Sequence, residues 1–559
     1  MSAWGKGGVK RVDYDTDVLV IGGGANGTGL ARDLAKRGLR VILCDKGDLA
    51  RGATGASSAM IHGGPRYLLH DAATTKHSCA DSGYIQKIAP HLLFRVPFLI
   101  PVPRKTRLGR AALLLHDVYF DVYDRYTPLK NGLPHACMSE AELRAVEPGL
   151  VGDFLGAITT DEWGTDPGRL CVLNALDAQA HGAQIRTYTE VVGVLRENQV
   201  DVCGVRVRRM GHAETEEIRA RAVVNCAGPW AEQLAGMVGG GVRLRPGKGV
   251  HLIYERRLTN FAVATHAIDG RQVFIMPYQN ETWLGTTDDD YYGDLDDLWA
   301  SGDDIAYLKQ AFSQLLPALG QQRLIGTRTG VRNTIHAWGV GEDHLSRRFE
   351  VVHHAKTGGR GFFSLAGGKL ASFRLQAEEL ADTVCGHLKI QASCRTHLDP
   401  LPGGEEVPDA ALLAQVYRIS EQAARRIVSR HGALAVRVLE IGRETSTGFA
   451  VVDPFEPVLA CEVRYCVRHE LVGLLGDLLT RCRVGMGSDM GLHSALRVAQ
   501  LFAEERGLDV TGEREALSDL LTRRWRSARP ILAGAQLAQA ELLLAQYADL
   551  WKMPPGVPL

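Results

Sequence analysis

The chain reads as an α/β protein with a separate helical region at its C-terminal end. Three observations predict this. A strand, a glycine-rich turn, a helix and a second strand follow one another across residues 17–45. β-patterned segments recur between 185 and 330. Beyond a proline- and glycine-rich linker at 398–408, the apolar spacing becomes helical.

Composition sets the bounds. A chain of 559 residues predicts about three or four structural lobes. Basic and acidic residues are balanced at 64 each, which argues against a broad nucleic-acid surface, so no nucleic-acid partner is expected. With 45% hydrophobic and 23% charged residues, the chain is neither disordered, collagenous nor disulfide-built. Eleven thinly spread cysteines, an odd number, read as reduced cytosolic thiols. No apolar stretch reaches the ~18 residues of a membrane span. Met1–Asp13 is a polar, disordered lead-in without an apolar signal core.

The elements follow in order. Asp17–Ile21 is a short apolar, β-branched run that ends in Gly22-Gly23-Gly24-Ala25-Asn26-Gly27. A helix follows with Leu30, Leu34 and Ala35 on one face, and stops at Gly38. A second strand, Arg40–Cys44, stops at Asp45. Glycines allow a tight turn and close backbone approach to a pyrophosphate, the helix N-terminus supplies N–H groups, and the acid suits a ribose. A small-residue loop, 49–67, then offers backbone to an extended cofactor. A helix is expected from Asp166 to His181, and strands at Ile185–Leu195, Val202–Arg209 and Glu217–Asn225. Further strands are Gly249–Tyr254, Val273–Pro277 and Trp283–Thr287, with a helix at Asp304–Leu316. Gly361–Leu365 is a strand leading into Gly367-Gly368-Lys369 and a helix to about His387. Past the linker, helices are expected at 409–416, 420–431, 434–439, 462–471, 475–481, 491–506 and 517–524.

Taken in order, these motifs resemble the flavin-dependent glycerol-3-phosphate dehydrogenases. The matching runs are Ile21 to Gly29, Ala53-Thr54-Gly55, Ile61-His62-Gly63-Gly64-x-Arg66-Tyr67, Asp166-Pro167-x-Arg169-Leu170, Asn225-Cys226-Ala227-Gly228-Pro229-Trp230, Lys248-Gly249-x-His251, Gly285-Thr286-Thr287-Asp288, Thr329-Gly330-Val331-Arg332 and Gly367-Gly368-Lys369-Leu370 with Arg374. The resemblance implies an FAD-binding Rossmann-like domain of the glycine-oxidase type, at 1–95, 150–240 and 325–397. An antiparallel β-sheet substrate domain at 96–149 and 241–324 is interleaved with it, and a C-terminal helical domain occupies 398–559.

The resemblance also implies the chemistry: oxidation of sn-glycerol 3-phosphate to dihydroxyacetone phosphate, with hydride to the flavin and electrons to a membrane quinone. Another polyol phosphate, such as erythritol phosphate, and a non-catalytic flavoprotein subunit stay open as alternatives. The phosphate dianion needs fixed cations, and Arg66, Arg332, Lys369 and Arg374 occupy the matching motifs, with Tyr67 as a hydroxyl partner. His251 is the first candidate for proton acceptor and His62 the second, because histidine titrates near working pH; Arg332 also suits an alkoxide. For FAD, the implied contacts are backbone at Gly22, Gly24, Asn26, Gly27 and Gly368. Asp45 is implied for the ribose, Thr54 and Ser58 for the pyrophosphate, Ala227 and Gly228 for the adenine side, and Asp288 with Lys369 for the ring end. The chain departs from the family at Asp45 (usually glutamate), Ala59 (often lysine in aerobic members), Pro65 and Asn333.

The C-terminal part resembles the catalytic subunit of the anaerobic three-subunit enzyme, through Arg483-Val484-Gly485-Met486-Gly487 and Trp525. That subunit's ferredoxin-like region would fall at about 445–510. The positions matching its four cysteines are Asp453, Phe455, Asp489 and Ser494, and cluster iron needs thiolates or imidazole. No iron–sulfur cluster, and no other metal, is therefore expected. Leu92–Tyr126, rich in apolar and basic residues, resembles the aerobic, homodimeric, membrane-associated enzymes. The expected location is cytoplasmic, peripheral on the inner face of the cell membrane.

Overall fold

The computed structural model describes residues 13–69, 71–105, 108–109, 111–341, 345, 347–489, 491–550 and 552. The side chains of Arg66 and Leu550 lie outside that description, as do Arg107, Arg110 and all of the lead-in except Asp13.

The opening strand, helix and strand form at Thr16–Ile21, Ala25–Lys36 and Val41–Cys44. In the first sheet the strands run in the order 349–353, 362–367, 215–225, 16–21, 41–44, 184–186. All neighbours are parallel except the edge strand Phe349–His353. An antiparallel meander, 189–197 and 201–209, extends the strand at 215–225. One helix face, with Leu30 and Leu34, meets Val20 and Leu43 from the sheet and Leu380 and Val384 from the helix Phe373–Leu388. Each such leucine side chain stabilises by about 1.5–3 kcal/mol when buried. The parallel strands all end at one edge, which collects Gly22, Asp45, Cys226 and Gly368; open α/β sheets bind ligands there.

The second sheet is mainly antiparallel, in the order 289–290, 244–254, 281–285, 272–278, 262–266, 98–103, 154–160, 136–139, with 324–335 also paired along 244–254. Strands Phe154–Thr160 and Leu324–Ile335 therefore belong here by pairing. The boundaries expected at 150 and 325 shift accordingly, because long-range register, not local pattern, assigns a strand to its sheet.

The helices expected past the linker form, most of them within a few residues of their expected ends. Past the linker a further helix, Gly534–Leu550, joins them, and before it lie helices with no expected counterpart, among them Ala72–Ile88 and Ala111–Tyr123. The junction with the first sheet is a buried ionic lattice. Arg481 donates to both oxygens of Asp48, each at 2.7 Å. Arg169 pairs with Glu470, and Arg430 with Asp166 at 3.0 Å. Asp166 also caps the helix Pro167–Ala180 by accepting the Arg169 N–H. Around 445–510, Asp453 accepts the N–H groups of Phe455, Glu456 and Gly485, and Asp489 those of Gly491 and His493. At these two cysteine-matching positions the carboxylates brace backbone turns.

Candidate active site

A cavity of about 1270 Å³ runs along the C-terminal edge of the parallel sheet and beneath the antiparallel one. One end holds Asp45 and Lys46, the middle Gly22, Gly24, Asn26, Thr54, Ala227 and Gly228, and the far end His62, Tyr67, His251, Arg332, Gly368 and Lys369.

The glycine loop is built for close approach. Gly22 has φ +108°, and a Cβ there would lie 2.6 Å from the Cys226 carbonyl oxygen. Gly27 sits behind the wall, where a Cβ would lie 1.8 Å from the Gly22 carbonyl oxygen. Its role is close helix–strand packing, which corrects its expected cofactor contact. The helix opens at Gly24 with no side-chain cap. Thr54 Oγ1 accepts the Ala25 N–H at 3.1 Å, and Asn26 donates to Gln376 at 3.1 Å.

Asp45 accepts the Gly23 and Gly47 N–H groups at 2.6 and 2.7 Å, one on each oxygen. Each oxygen keeps lone-pair capacity for a ribose hydroxyl. Burial raises its pKa, against the pull of those two N–H groups.

At the far end, Lys369 Nζ lies 3.4 Å from the His62 carbonyl oxygen and 4.8 Å over the Tyr67 ring. Gly64, at φ +75°, makes room: a Cβ there would meet Lys369 Nζ at 2.6 Å. The Gly63 N–H donates to Glu162, which forms a buried 2.9 Å ion pair with Lys130. Arg332 donates to Thr286 at 3.0 Å and to Asp288 at 2.7 Å. Asp288 also takes Arg347 at 3.0 Å. Thus Asp288 stands behind the wall and orients two arginines, rather than lining the cavity as its expected place at the ring end required. Asn333 donates to the Gly367 carbonyl at 2.9 Å, which ties the two sheets beside Lys369.

His251 is buried, with Nε2 2.9 Å from Ser58 Oγ. Ser58 is thereby engaged by the histidine. Burial, then Arg328 and Arg332, lower the His251 pKa to about 3. The expectation of a base titrating near neutrality is corrected: His251 is a neutral imidazole at working pH.

Arg374 is a further correction. It is buried, pairs with Asp81 and Glu378 at 2.6 Å each, and faces away from the cavity. Arg66 cannot be placed, since its side chain lies outside the described residues. Sequence reasoning missed Arg347 and the cavity wall of His116, Tyr119 and Phe120. Nothing local marks these; folding brings them in.

Residues 17–374 match the family model described as FAD dependent oxidoreductase, and residues 394–512 match the C-terminal domain of alpha-glycerophosphate oxidase. The chain is 32% identical to an anaerobic glycerol-3-phosphate dehydrogenase subunit of Escherichia coli K12, over 97% of each chain. The chain belongs to the FAD-dependent glycerol-3-phosphate dehydrogenase family. The solved glycerol-3-phosphate dehydrogenase of Bacillus halodurans, complexed with FAD, has the same fold (TM-score 0.74, 24% identity, 93% of this chain and 96% of that one). Glycine oxidase from Geobacillus kaustophilus shares the fold over 69% of this chain and 98% of its own, at TM-score 0.52 and 21% identity.

FAD is the cofactor of this family, and the cavity fits it. The glycine loop and uncapped helix suit its pyrophosphate, and Asp45 suits its ribose. At Gly228, φ is +58° and a Cβ would project into open space along the cavity. This is room that an extended dinucleotide can fill.

Proposed function

We propose that this dehydrogenase oxidises sn-glycerol 3-phosphate to dihydroxyacetone phosphate and passes the electrons to a membrane quinone. The observation that carries the reading is the cation group facing the far end of the cavity: Lys369, Arg332 and Arg347, with His251 and Tyr67 beside them. Lys369 and the two arginines hold the phosphate dianion. Arginine forks bind phosphate in two-point fashion, and lysine adds a point charge. FAD, when bound, supplies the two-electron acceptor for the hydrogen on C2. His251, kept neutral, accepts a hydrogen bond from the substrate hydroxyl, and Ser58 fixes its ring. His62, on the loop carrying Lys369's carbonyl partner, is the proton acceptor. Arg332 also stabilises developing negative charge on the oxygen.

The helix Ala111–Tyr123 supports the quinone and membrane reading. It exposes Leu114, Leu115, Val118 and Val122, while its other residues His116, Tyr119 and Phe120 wall the cavity. An apolar surface thus continues into the redox site, as a membrane-dissolved acceptor requires. Among the described residues, no helix is long and apolar enough to cross a membrane, so contact would be peripheral. Replacing Leu114 and Val118 with serine should lower co-sedimentation with anionic vesicles while leaving soluble-dye reduction intact.

The deciding experiment is an anaerobic titration of the yellow holoenzyme with glycerol 3-phosphate. Bleaching of the flavin absorbance supports the reading, and unchanged absorbance marks a non-catalytic flavoprotein. A much higher kcat/KM with erythritol phosphate would reassign the substrate.

A further inference from the structure

We propose that Asp117, His135 and Cys137 form a binding site for a zinc-class divalent metal. Asp117 lies on the cavity-wall helix Ala111–Tyr123. Cys137 lies on the strand Ala136–Ser139 at the edge of the antiparallel sheet, and His135 stands just before it. Asp117 Oδ1 lies 3.0 Å from His135 Nε2 and 2.8 Å from Cys137 Sγ. The three ligand atoms all fall within 4.8 Å of one another.

The donor set is one carboxylate oxygen, one imidazole nitrogen and one thiol sulfur. Zinc accepts this combination in tetrahedral sites, with a fourth position for water or another carboxylate. Asp121, one turn along the same helix, acts electrostatically on Cys137. On the far side of the imidazole, Asp124 Oδ2 lies 2.8 Å from His135 Nδ1. A carboxylate behind a histidine in this way orients the ring and raises its basicity as a ligand. Cys137 is exposed and Asp117 half-exposed, so an ion has a way in.

Without metal, the same geometry demands protons. Both ring nitrogens of His135 face carboxylates; burial favours the neutral ring, but the bonds to Asp124 and Asp117 outweigh it and raise its pKa. Burial, then Asp117, push the Cys137 thiol up to about 11. The bound ion would fasten the helix that walls the cavity to the sheet edge beneath it; the Phe120 and His135 rings already lie 6.0 Å apart. Asp117 is 18 and 20 residues from the other two ligands, with no motif to reveal the set, which explains why none was expected.

The test is titration of cobalt(II) into chelator-treated holoenzyme. Binding of one cobalt per chain is expected, with a thiolate-to-cobalt charge-transfer band and d–d bands to the red of the flavin absorption. Zinc should abolish the cobalt spectrum. Cys137→Ala should remove the charge-transfer band, and Asp124→Asn should weaken binding about 10–100-fold, each with flavin content unchanged as the check on folding. The buried group His431, Cys466 and Glu470 is the competing candidate. Absence of stoichiometric cobalt binding overturns the proposal. So does a spectrum that survives Cys137→Ala, or one lost in Cys466→Ala instead.

Discussion

Two regions of this molecule are built from arginines, and they use them in opposite ways. At the junction between the C-terminal helices and the parallel sheet, each guanidinium meets its own carboxylate: Arg481 with Asp48, Arg169 with Glu470, Arg430 with Asp166. At the far end of the cavity, Arg332 and Arg347 share the carboxylate of Asp288, and Lys369 leans on a carbonyl and an aromatic ring. Matched charges make a joint. Cations that share a carboxylate and line a cavity make a site, because their summed positive potential reaches an anion placed there. Arg374 shows how position decides between the two. It lies in a motif run with Lys369, yet its pairing with Asp81 and Glu378 makes it part of the structure.

The comparison breaks most easily at the joint. Arg481→Met leaves Asp48 buried without its partner, and should cost about 3–5 kcal/mol of stability, read by chemical denaturation. The KM of the remaining folded enzyme should not move; a normal stability would refute the structural reading. In the cavity the pattern should reverse. Arg332→Ala should raise KM for glycerol 3-phosphate about 10–100-fold, the scale of a lost charged hydrogen bond, with flavin retained and thermal stability nearly unchanged. Lys369→Ala should act in the same direction, by about tenfold or more. Loss of flavin with a normal KM after reconstitution would remove Lys369 from the substrate site.

A smaller effect concerns pH. His251 and His91 are both lowered to about 3, by burial first and then by neighbouring guanidinium groups, Arg328 and Arg332 at His251 and Arg169 at His91. Unfolded histidine titrates near 6.5, so between the two values the unfolded chain binds the extra protons. Native stability should therefore fall as pH drops below about 6.5, by about 1.4 kcal/mol per pH unit for each histidine. Urea midpoints measured from pH 6.5 to 5 should flatten in His91→Gln relative to the parent. An identical slope would contradict the buried neutral state. The same lowering predicts no inflection near pH 6.5 in kcat/KM from His251.

The glycine loop, its helix and the strand ending at Asp45 were legible in the sequence because each rests on local physics. Period-2 and period-3.6 patterns, glycine at a positive φ and an acid at a strand end need only neighbouring residues. The family motifs likewise marked Lys369, Arg332, His251 and the cofactor wall, together with the absence of cysteine at Asp453, Phe455, Asp489 and Ser494. What only the tertiary structure decided is which partner each charged group meets. Asp288 turned out to hold two arginines, Arg374 to face a buried aspartate, and His251 to lie too deep to titrate near neutrality. Strands Phe154–Thr160 and Leu324–Ile335 joined the antiparallel sheet, and Asp117 met His135 and Cys137. The physical reason is common to all of these. Residue type and spacing determine local conformation, whereas ionisation and pairing depend on burial and on groups tens to hundreds of residues away, which only the folded chain brings within reach.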